Sequence, residues 1–429
     1  MKNDNIKDIV ENKLCIGCGL CEVICPYKAI SMVYSNETGN FYPTVDENIC
    51  TKCSLCLEVC YGAMRDPKLS FKIFGNSVPF DPIIGHYLGL YIGYATDKRV
   101  RFNAAAGGVA TALLAYALEK KIIDGAIVVR MRPGKLPMGE CFIAYTLEDL
   151  FSAAGSKYCP VNFSKCFKKL ETGKRYAIVT LPCYAYGIRK LIEINPMLRS
   201  KIVLIIGLLC GGMPSYLGTI YLLKTYGLEG YFIRRLEYRG GGWPGRLLIE
   251  GRQAGQQKLV TMPYPDYWRG LFNYFQPFRC TICNDGFNSF ADISVGDAWH
   301  PEIIKSDKEG TSLIITRSKL GEHLIKEAFK AGKIDIHPIP KKDVLTSQRN
   351  LIKYKYCSIL ARILISEFIF TRKKVPYSFE RNILCTVRFS DLLSAIDLYV
   401  GNILASRKRF LRLFNYYIFL KEYLSYIMK

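Results

Sequence analysis

Eight cysteines near the start of the chain repeat one spacing. Cys15, Cys18, Cys21 and Cys25 stand at C-x2-C-x2-C-x3-C, followed by Pro26, and Cys50, Cys53, Cys56 and Cys60 stand at the same spacing again. Three thiolates two residues apart fall on one tight loop, which suits three corners of an iron–sulfur cube, while the fourth crosses to the other cube. Zinc prefers two separated C-x2-C pairs. Disulfides are the plainer alternative, and three thiols this closely spaced suit a cube far better. The expected ligand sets are Cys15, Cys18, Cys21 and Cys60 for one [4Fe–4S] cluster, and Cys50, Cys53, Cys56 and Cys25 for the second. Pro26 stops the cysteine turn from continuing. Gly17 and Gly19 let the backbone wrap a sulfide face where a Cβ would clash. A chain with this arrangement carries electrons.

The elements that must hold these thiols follow from the surrounding pattern. The doubled spacing is that of a two-cluster bacterial-type ferredoxin, so residues 1–66 are expected to form an α+β ferredoxin-like domain. The turn-rich SNETGN lies within a hairpin over Ser31–Asn48. Residues 67–90 mix proline, glycine and aromatics and read as an ordered linker. A mixed α/β region follows over 91–335. Strands are expected at Leu90–Thr96, Lys121–Arg130, Glu140–Thr146, Lys174–Thr180, Lys201–Leu209, Ser294–Trp299 and Ser312–Arg317. Helices are expected over Ala104–Leu118, Leu147–Ala153, Tyr184–Ile194 and Pro214–Tyr226. Residues 231–262 are rich in strand and glycine. From about 336 the chain turns basic and mostly helical, with helices over Leu392–Tyr399 and Arg409–Ile427.

The segment from about 90 to 330 resembles the coenzyme F420 hydrogenase/dehydrogenase beta-subunit family. The resemblance rests on AAAGGVATALLAYALEKKIIDGAIV (104–128), GSKYCP (155–160), AIVTLPCYAYGIRKL (177–191), IGLLCGGMPS (206–215), FRCTICNDGFNSFADISVGDAW (278–299) and GTSLIITRS (310–318). It implies a bound FAD that exchanges electrons with iron–sulfur clusters and passes hydride to a small organic acceptor. It also implies a third [4Fe–4S] cluster in the flavin domain. Cys280 and Cys283, a C-x2-C, are its firmest ligands and Cys183 the next; the fourth stays open among Cys159, Cys166 and Cys210. Cys141, Cys357 and Cys385 are read as core or surface residues.

The residues support a flavin on their own chemistry, less sharply. Ala106, Gly107 and Gly108 open a helix whose free N–H groups can bind phosphate, although a small-residue helix packed close on a sheet would look the same. Arg101 and Asn103 are expected at the pyrophosphate. Gly155, Ser156 and Lys157 form a second donor loop, which the resemblance puts near the flavin. Trp243, in the glycine-rich YRGGGWPGR, is expected at the isoalloxazine ring, with a tight hairpin as the alternative. Asp297 and His300 are candidates to deliver a proton to substrate. Asp292 is expected to be structural.

The chain has 429 residues, seventeen cysteines and a formal charge of +22. The charge is uneven. Residues 1–62 carry five Lys against eight Asp and Glu, or −3, and residues 341–429 carry seventeen Lys and Arg against six Asp and Glu, or +11. No nucleic-acid motif appears, so no nucleic-acid partner is expected. Reduced ferredoxin or another redox protein fits better, and the C-terminal helices are candidates for peripheral membrane contact. A polar start and many cysteines point to the cytoplasm. Rival readings are an electron-transfer subunit of a larger complex, a coenzyme F420-dependent enzyme, and a reductive step in polysaccharide synthesis.

Overall fold

In this computed structural model the described residues are 5–64, 66–366, 389–405, 417–418 and 421. After a first short helix, Lys7–Glu11, the N-terminal region carries two more, Leu20–Ile24 and Leu55–Glu58, each directly after the loop that presents the first cysteines of a quartet. Beneath them lies a hairpin of β1 (Ile30–Ser35) and β2 (Asn40–Val45), with Ile30 opposite Val45. This is the ferredoxin-like arrangement expected. The linker region holds a helix, Leu69–Phe74, and a small ribbon of β3 (Phe80–Asp81) and β4 (Gly85–His86).

An eight-stranded mixed sheet forms the body. Its strands are β5 (Gly89–Ala95), β6 (Gly125–Arg132), β7 (Met138–Ala144), β8 (Tyr176–Thr180), β9 (Ile202–Leu208), β13 (Ile293–Asp297), β14 (Ser312–Thr316) and β15 (Ile334–Pro338). The order is β15-β5-β14-β13-β9-β8-β6-β7. The run β6-β8-β9-β13 is parallel, and β7, β14 and β15 pair antiparallel to their neighbours. A separate antiparallel sheet of β10 (Phe232–Gly240), β11 (Arg246–Gln253) and β12 (Gln256–Pro263) accounts for the strand-rich, glycine-rich stretch.

The central strands β8 (YAIVT) and β9 (IVLIIGL) are almost continuously apolar, as expected of strands covered on both faces. On β9, Ile205 packs into one core with Ile178, Tyr184, Ile188 and Leu191. Its neighbours Leu204 and Ile206 point the other way, to Leu113, Leu114, Val295 and Ile325, as period-two alternation requires. Helix Pro182–Ile194, started by a proline at its first position, covers the first face. Helices Val109–Glu119 and Lys319–Lys330 cover the second, the latter capped by Ser318 accepting from Gly321 N.

The ferredoxin-like region packs on the first face, since Leu20 and Val59 join that core. The seam is tight at Gly187, where an added Cβ would sit 2.5 Å from Leu20 Cδ1 and 2.7 Å from the Val59 carbonyl oxygen. After the sheet come helices Lys341–Ser347, Arg349–Ile352 and Ile359–Ser366, then Phe389–Ala405, which contains the helix expected at Leu392–Tyr399. Apart from Tyr417, Ile418 and Lys421, the expected helix Arg409–Ile427 lies outside the described residues, as does Cys385. Among the described residues no helix is long and apolar enough to cross a membrane.

Arg317, at the end of β14, ties this framework together. It is fully buried, and its guanidinium donates to Ser294 Oγ at 2.6 Å, the Ile84 carbonyl at 2.9 Å and the Phe287 carbonyl at 3.0 Å. One side chain thus joins the linker, β13 and the loop before it. Arg317→Met leaves these acceptors without a donor, at roughly 1–3 kcal/mol each. A clear drop in thermal midpoint is expected in anaerobic unfolding; an unchanged midpoint would contradict this role.

Candidate iron–sulfur and flavin sites

The N-terminal thiols crowd together: Cys60 acts on Cys15 and Cys18 and also on Cys56 of the second run. Burial pushes the Cys18 thiol up to about 12, and Cys60 adds to the rise. Cys21 is pushed up by burial, then by Cys18, Cys15 and Cys60. Thiols this close and this buried are unfavourable as bare anions, and that is the environment in which a metal cluster takes up their charge. Cys25, Cys50, Cys53 and Cys56 line one cavity together with Asn5 and Tyr27. Cys53 is exposed, whereas Cys21 is buried.

A second cavity is lined by Cys183, Cys210, Cys280 and Cys283 with Asp285 and Lys355. Like the N-terminal cavity, it is lined by four thiols. Among the described residues no three His, Cys, Asp or Glu side chains converge as one metal ion requires; a cube held at its corners keeps its thiolates further apart. Cys210 therefore stands where the fourth ligand was left open. Cys159 and Cys166 stand elsewhere: Cys159 Sγ lies 4.0 Å from Met131 Sδ, and Cys166 lies beside Cys141.

The charges around this cavity are not symmetric. Burial pushes the Cys210 thiol up to about 12, against the pull of Lys355. Cys283 moves the other way: burial raises it, but Lys355, Arg279, the backbone at Asp285 and the Tyr61 hydroxyl together bring it below the ordinary thiol value. Lys355 is fully buried and donates to the Cys280 carbonyl at 3.4 Å. Burial lowers its pKa, but Cys283, Cys210 and the other anionic groups outweigh that and raise it. Neither cation was singled out in the sequence, because Lys355 lies in the basic C-terminal region and Arg279 beside the C-x2-C.

The position of this cavity follows from the sheet. Cys183 follows the end of β8 and Cys210 the end of β9, so both stand at the carboxyl edge of the parallel strands, the usual place for a ligand in an open α/β sheet. Asp297 ends β13, the strand next to β9. The loop 104–108 follows β5 at the same edge.

The expected flavin residues gather beyond this edge. Asp297 accepts from both terminal nitrogens of Arg239, each at 2.8 Å, and from Trp243 Nε1 at 2.8 Å. Trp243 packs on Trp299 with ring centres 5.1 Å apart, and Tyr264 stacks on Trp299 at 5.8 Å. Trp243 Cβ and the Ala106 carbonyl oxygen meet at Gly310. Gly155 has φ +79, and an added Cβ would meet only the Arg239 and Asn103 carbonyl oxygens, each at 3.7 Å. So Asn103, Ala106, Gly155, Trp243 and Asp297 come together, with Ser156 hydrogen-bonded to Tyr158. Planar rings and an open backbone edge fit a flavin.

The cations expected at the pyrophosphate are used differently. The Arg101 guanidinium donates to the Gly310 carbonyl at 2.9 Å, Glu309 at 3.0 Å and Asp307 at 3.3 Å, and stacks on Tyr94. The nearby acidic turn neutralises it. Asn103 Nδ2 donates to the Arg99 carbonyl at 2.8 Å. Lys157 Nζ donates to the carbonyls of Ala153, Ala154 and Gly155 at 2.5, 2.6 and 3.0 Å. Burial pulls its pKa down to about 7, against Cys159 and Glu237, while three carbonyl acceptors favour the ammonium form. Gly107 packs its Cα against the Gly93 carbonyl and Ser312, where a Cβ would come within 2.6 Å; it is the close helix-to-sheet packing that the small-residue pattern also allowed. Gly108 caps helix Val109–Glu119 with φ +79. His300 begins helix Pro301–Ser306 and is part-exposed. Asp292 is structural as expected, accepting from Ile205 N at 2.8 Å and pairing with Arg189 at 2.9 Å.

The N-terminal and C-terminal models of the coenzyme F420 hydrogenase/dehydrogenase beta subunit match residues 90–168 and 173–342, and a 4Fe–4S dicluster domain matches residues 14–62. The chain is 29% identical over 270 residues to the coenzyme F420 hydrogenase subunit beta of Methanothermobacter thermautotrophicus, covering 60% of this chain and 86% of that protein. It is 27% identical over 359 residues to the coenzyme F420-dependent sulfite reductase of Methanocaldococcus jannaschii, covering 80% of this chain and 50% of that protein. In fold it is similar to a chain of the F420-reducing [NiFe] hydrogenase complex from Methanosarcina barkeri, with a TM-score of 0.51 and 24% identity over 67% of this chain and 96% of that one.

Asp297 accepts from both terminal nitrogens of Arg239, and Arg239 is only 4% exposed. Asp297→Ala leaves a buried guanidinium without its anion, a loss of about 3–5 kcal/mol, whereas Asp297→Asn retains an acceptor and is expected to lose less. Anaerobic denaturant unfolding of both variants checks the order; equal losses would contradict it.

Proposed function

The chain belongs to the coenzyme F420 hydrogenase/dehydrogenase beta-subunit family and carries a 4Fe–4S dicluster domain, and on that premise we propose that it is an iron–sulfur flavoprotein oxidoreductase. Single electrons pass between a redox protein and the N-terminal clusters, then through a third cluster to FAD, and leave or enter as hydride at a small organic acceptor. The observation that carries this reading is the third set of four cysteines, at the carboxyl edge of the sheet between the ferredoxin-like region and the aromatic group.

Each group of residues has a part in this reading. Cys15, Cys18, Cys21 and Cys60 hold one cluster, and Cys25, Cys50, Cys53 and Cys56 the second. Cys183, Cys210, Cys280 and Cys283 hold the third. The first turn of helix Val109–Glu119 has no side-chain cap, so its N–H groups are available to a phosphate. Gly155 and Trp243 provide the backbone edge and the ring face. Arg101 and Lys157 order the loops on either side by holding their carboxylates and carbonyls. Arg239 and Trp243 hold the Asp297 carboxylate in place, which makes it a positioning residue. A flavin bound here supplies the change between one-electron and two-electron chemistry.

The second reading, an electron-transfer subunit docked in a larger complex, is favoured by the named relatives that are subunits. Turnover by the isolated chain separates the two. For the main reading, anaerobic reconstitution is expected to give about twelve irons, three cubes of four, and one flavin per chain. Cys210→Ala is expected to lower iron to about eight, and Cys159→Ala to leave it at about twelve. No bound flavin, or about eight irons or fewer in the parent protein, would overturn the proposal.

A further inference from the structure

One contact joins the ferredoxin-like region directly to the third set of thiols. Tyr61 directly follows Cys60, and its hydroxyl lies 3.5 Å from Cys283 Sγ. The side chain is 2% exposed. Its ring is held edge-on by Tyr186 at 5.5 Å and covered by the Arg279 guanidinium at 4.3 Å. Arg279 also donates to the Tyr61 carbonyl at 3.5 Å and to the Ile282 carbonyl at 3.3 Å, so the same cation fixes both ends of the contact. The neighbouring strip is close as well: Ile16, between Cys15 and Cys18, lines the same cavity as Cys183, Cys210, Cys280 and Cys283.

We propose that Tyr61 is a positioning residue that sets the reduction potential of the third cluster and links it to the first. This rests on the third-cluster reading above. A cysteine bound to iron as thiolate carries no proton, so the hydroxyl is the donor and Cys283 the acceptor. Hydrogen bonds to ligand sulfur raise a cluster's potential, because they stabilise the extra negative charge of the reduced form. In the transfer, one electron leaves the cluster held by Cys60 and enters the cluster held by Cys283. The first is oxidised by one electron, the second is reduced by one, and the phenol keeps its proton throughout. Backbone and ring from Cys60 to Tyr61 Oη form a path within a single residue step, so the contact that tunes the acceptor also shortens the route to it.

The test is a potentiometric titration of the anaerobically reconstituted full chain, followed by electron paramagnetic resonance. The third cluster is identified as the signal that Cys210→Ala removes. Tyr61→Phe is expected to keep about twelve irons and to make that cluster roughly tenfold harder to reduce, about 59 mV lower for one electron, with the other two midpoints unchanged. Tyr186→Phe, which keeps the neighbouring ring and touches no thiol, is expected to move none. Should Tyr61→Phe fail to fold, 3-fluorotyrosine placed at 61, a stronger donor of nearly the same volume, is expected to raise the midpoint. If the Cys210-dependent signal is present and its midpoint is the same in these variants, the role of Tyr61 is overturned and the third cluster stands. If the parent protein has no Cys210-dependent signal, the third-cluster reading fails and takes this one with it.

Discussion

The structure depends on a buried positive charge facing buried sulfur. Lys355 has almost no exposed surface, yet its ammonium sits at a cavity lined by four thiols. A buried ammonium without anionic partners is strongly destabilising, and four buried thiolates without cations are equally so. Each side makes the other tolerable. Lys355 belongs to a single π-helical turn, Lys353–Cys357, an irregularity often found at functional sites. Its neighbour Tyr356 donates to the Ile83 carbonyl at 2.8 Å. The C-terminal region is thereby anchored to the linker and to the cavity together, and its basic character has at least one structural use beyond solvation.

Arg279 extends the same logic towards the N-terminus. It lies over Tyr61, beside Cys283, and its charge also lowers the Cys60 thiol against the rise caused by burial. One guanidinium thus faces thiols from both regions. The seam between them holds apolar groups as well, with Leu20 and Val59 against Gly187. Apolar packing sets the distance between the regions, and the cation makes sulfur on both sides of it tolerable. Cys53 lies at the surface, whereas Cys280 and Cys283 are buried.

What was legible in the sequence was what is local. The ferredoxin quartets are readable because their spacing sets the loop geometry, and β8 and β9 because strands covered on both faces are continuously apolar. Helix Leu147–Ala153 has the expected bounds because Thr146 and Asp149 form a reciprocal cap. The third thiol set was only half readable. Cys280 and Cys283 are near in sequence, but Cys183 and Cys210 join them only because β8 and β9 are neighbours that end at the same edge. Cys159 looked equally eligible as a residue; topology puts it against Met131 instead. Arg101 misled for a related reason. A cation beside a small-residue loop looks free for an anion, and the acidic turn at Asp307–Glu309 that neutralises it lies some two hundred residues away.

The same long-range pairing explains why the aromatic group and the thiol set are separate yet adjacent. Leu209 N donates to the Val295 carbonyl at 2.9 Å, so the backbone just before Cys210 is bonded to the strand that ends in Asp297. Gln348 Nε2 donates to the Asp297 carbonyl at 2.6 Å, and Gln348 lies on the stretch of chain that leads to Lys355. A shift of β13 against β9 would therefore disturb the Arg239–Asp297–Trp243 group, the Cys210 thiol and the position of Lys355 at once. The ladder between β9 and β13 fixes the distance between the four-thiol cavity and the Asp297 group. It is only three paired residues long, Ile293–Val295 against Ile206–Leu208, and it is buried from both sides, which holds so short a ladder in register.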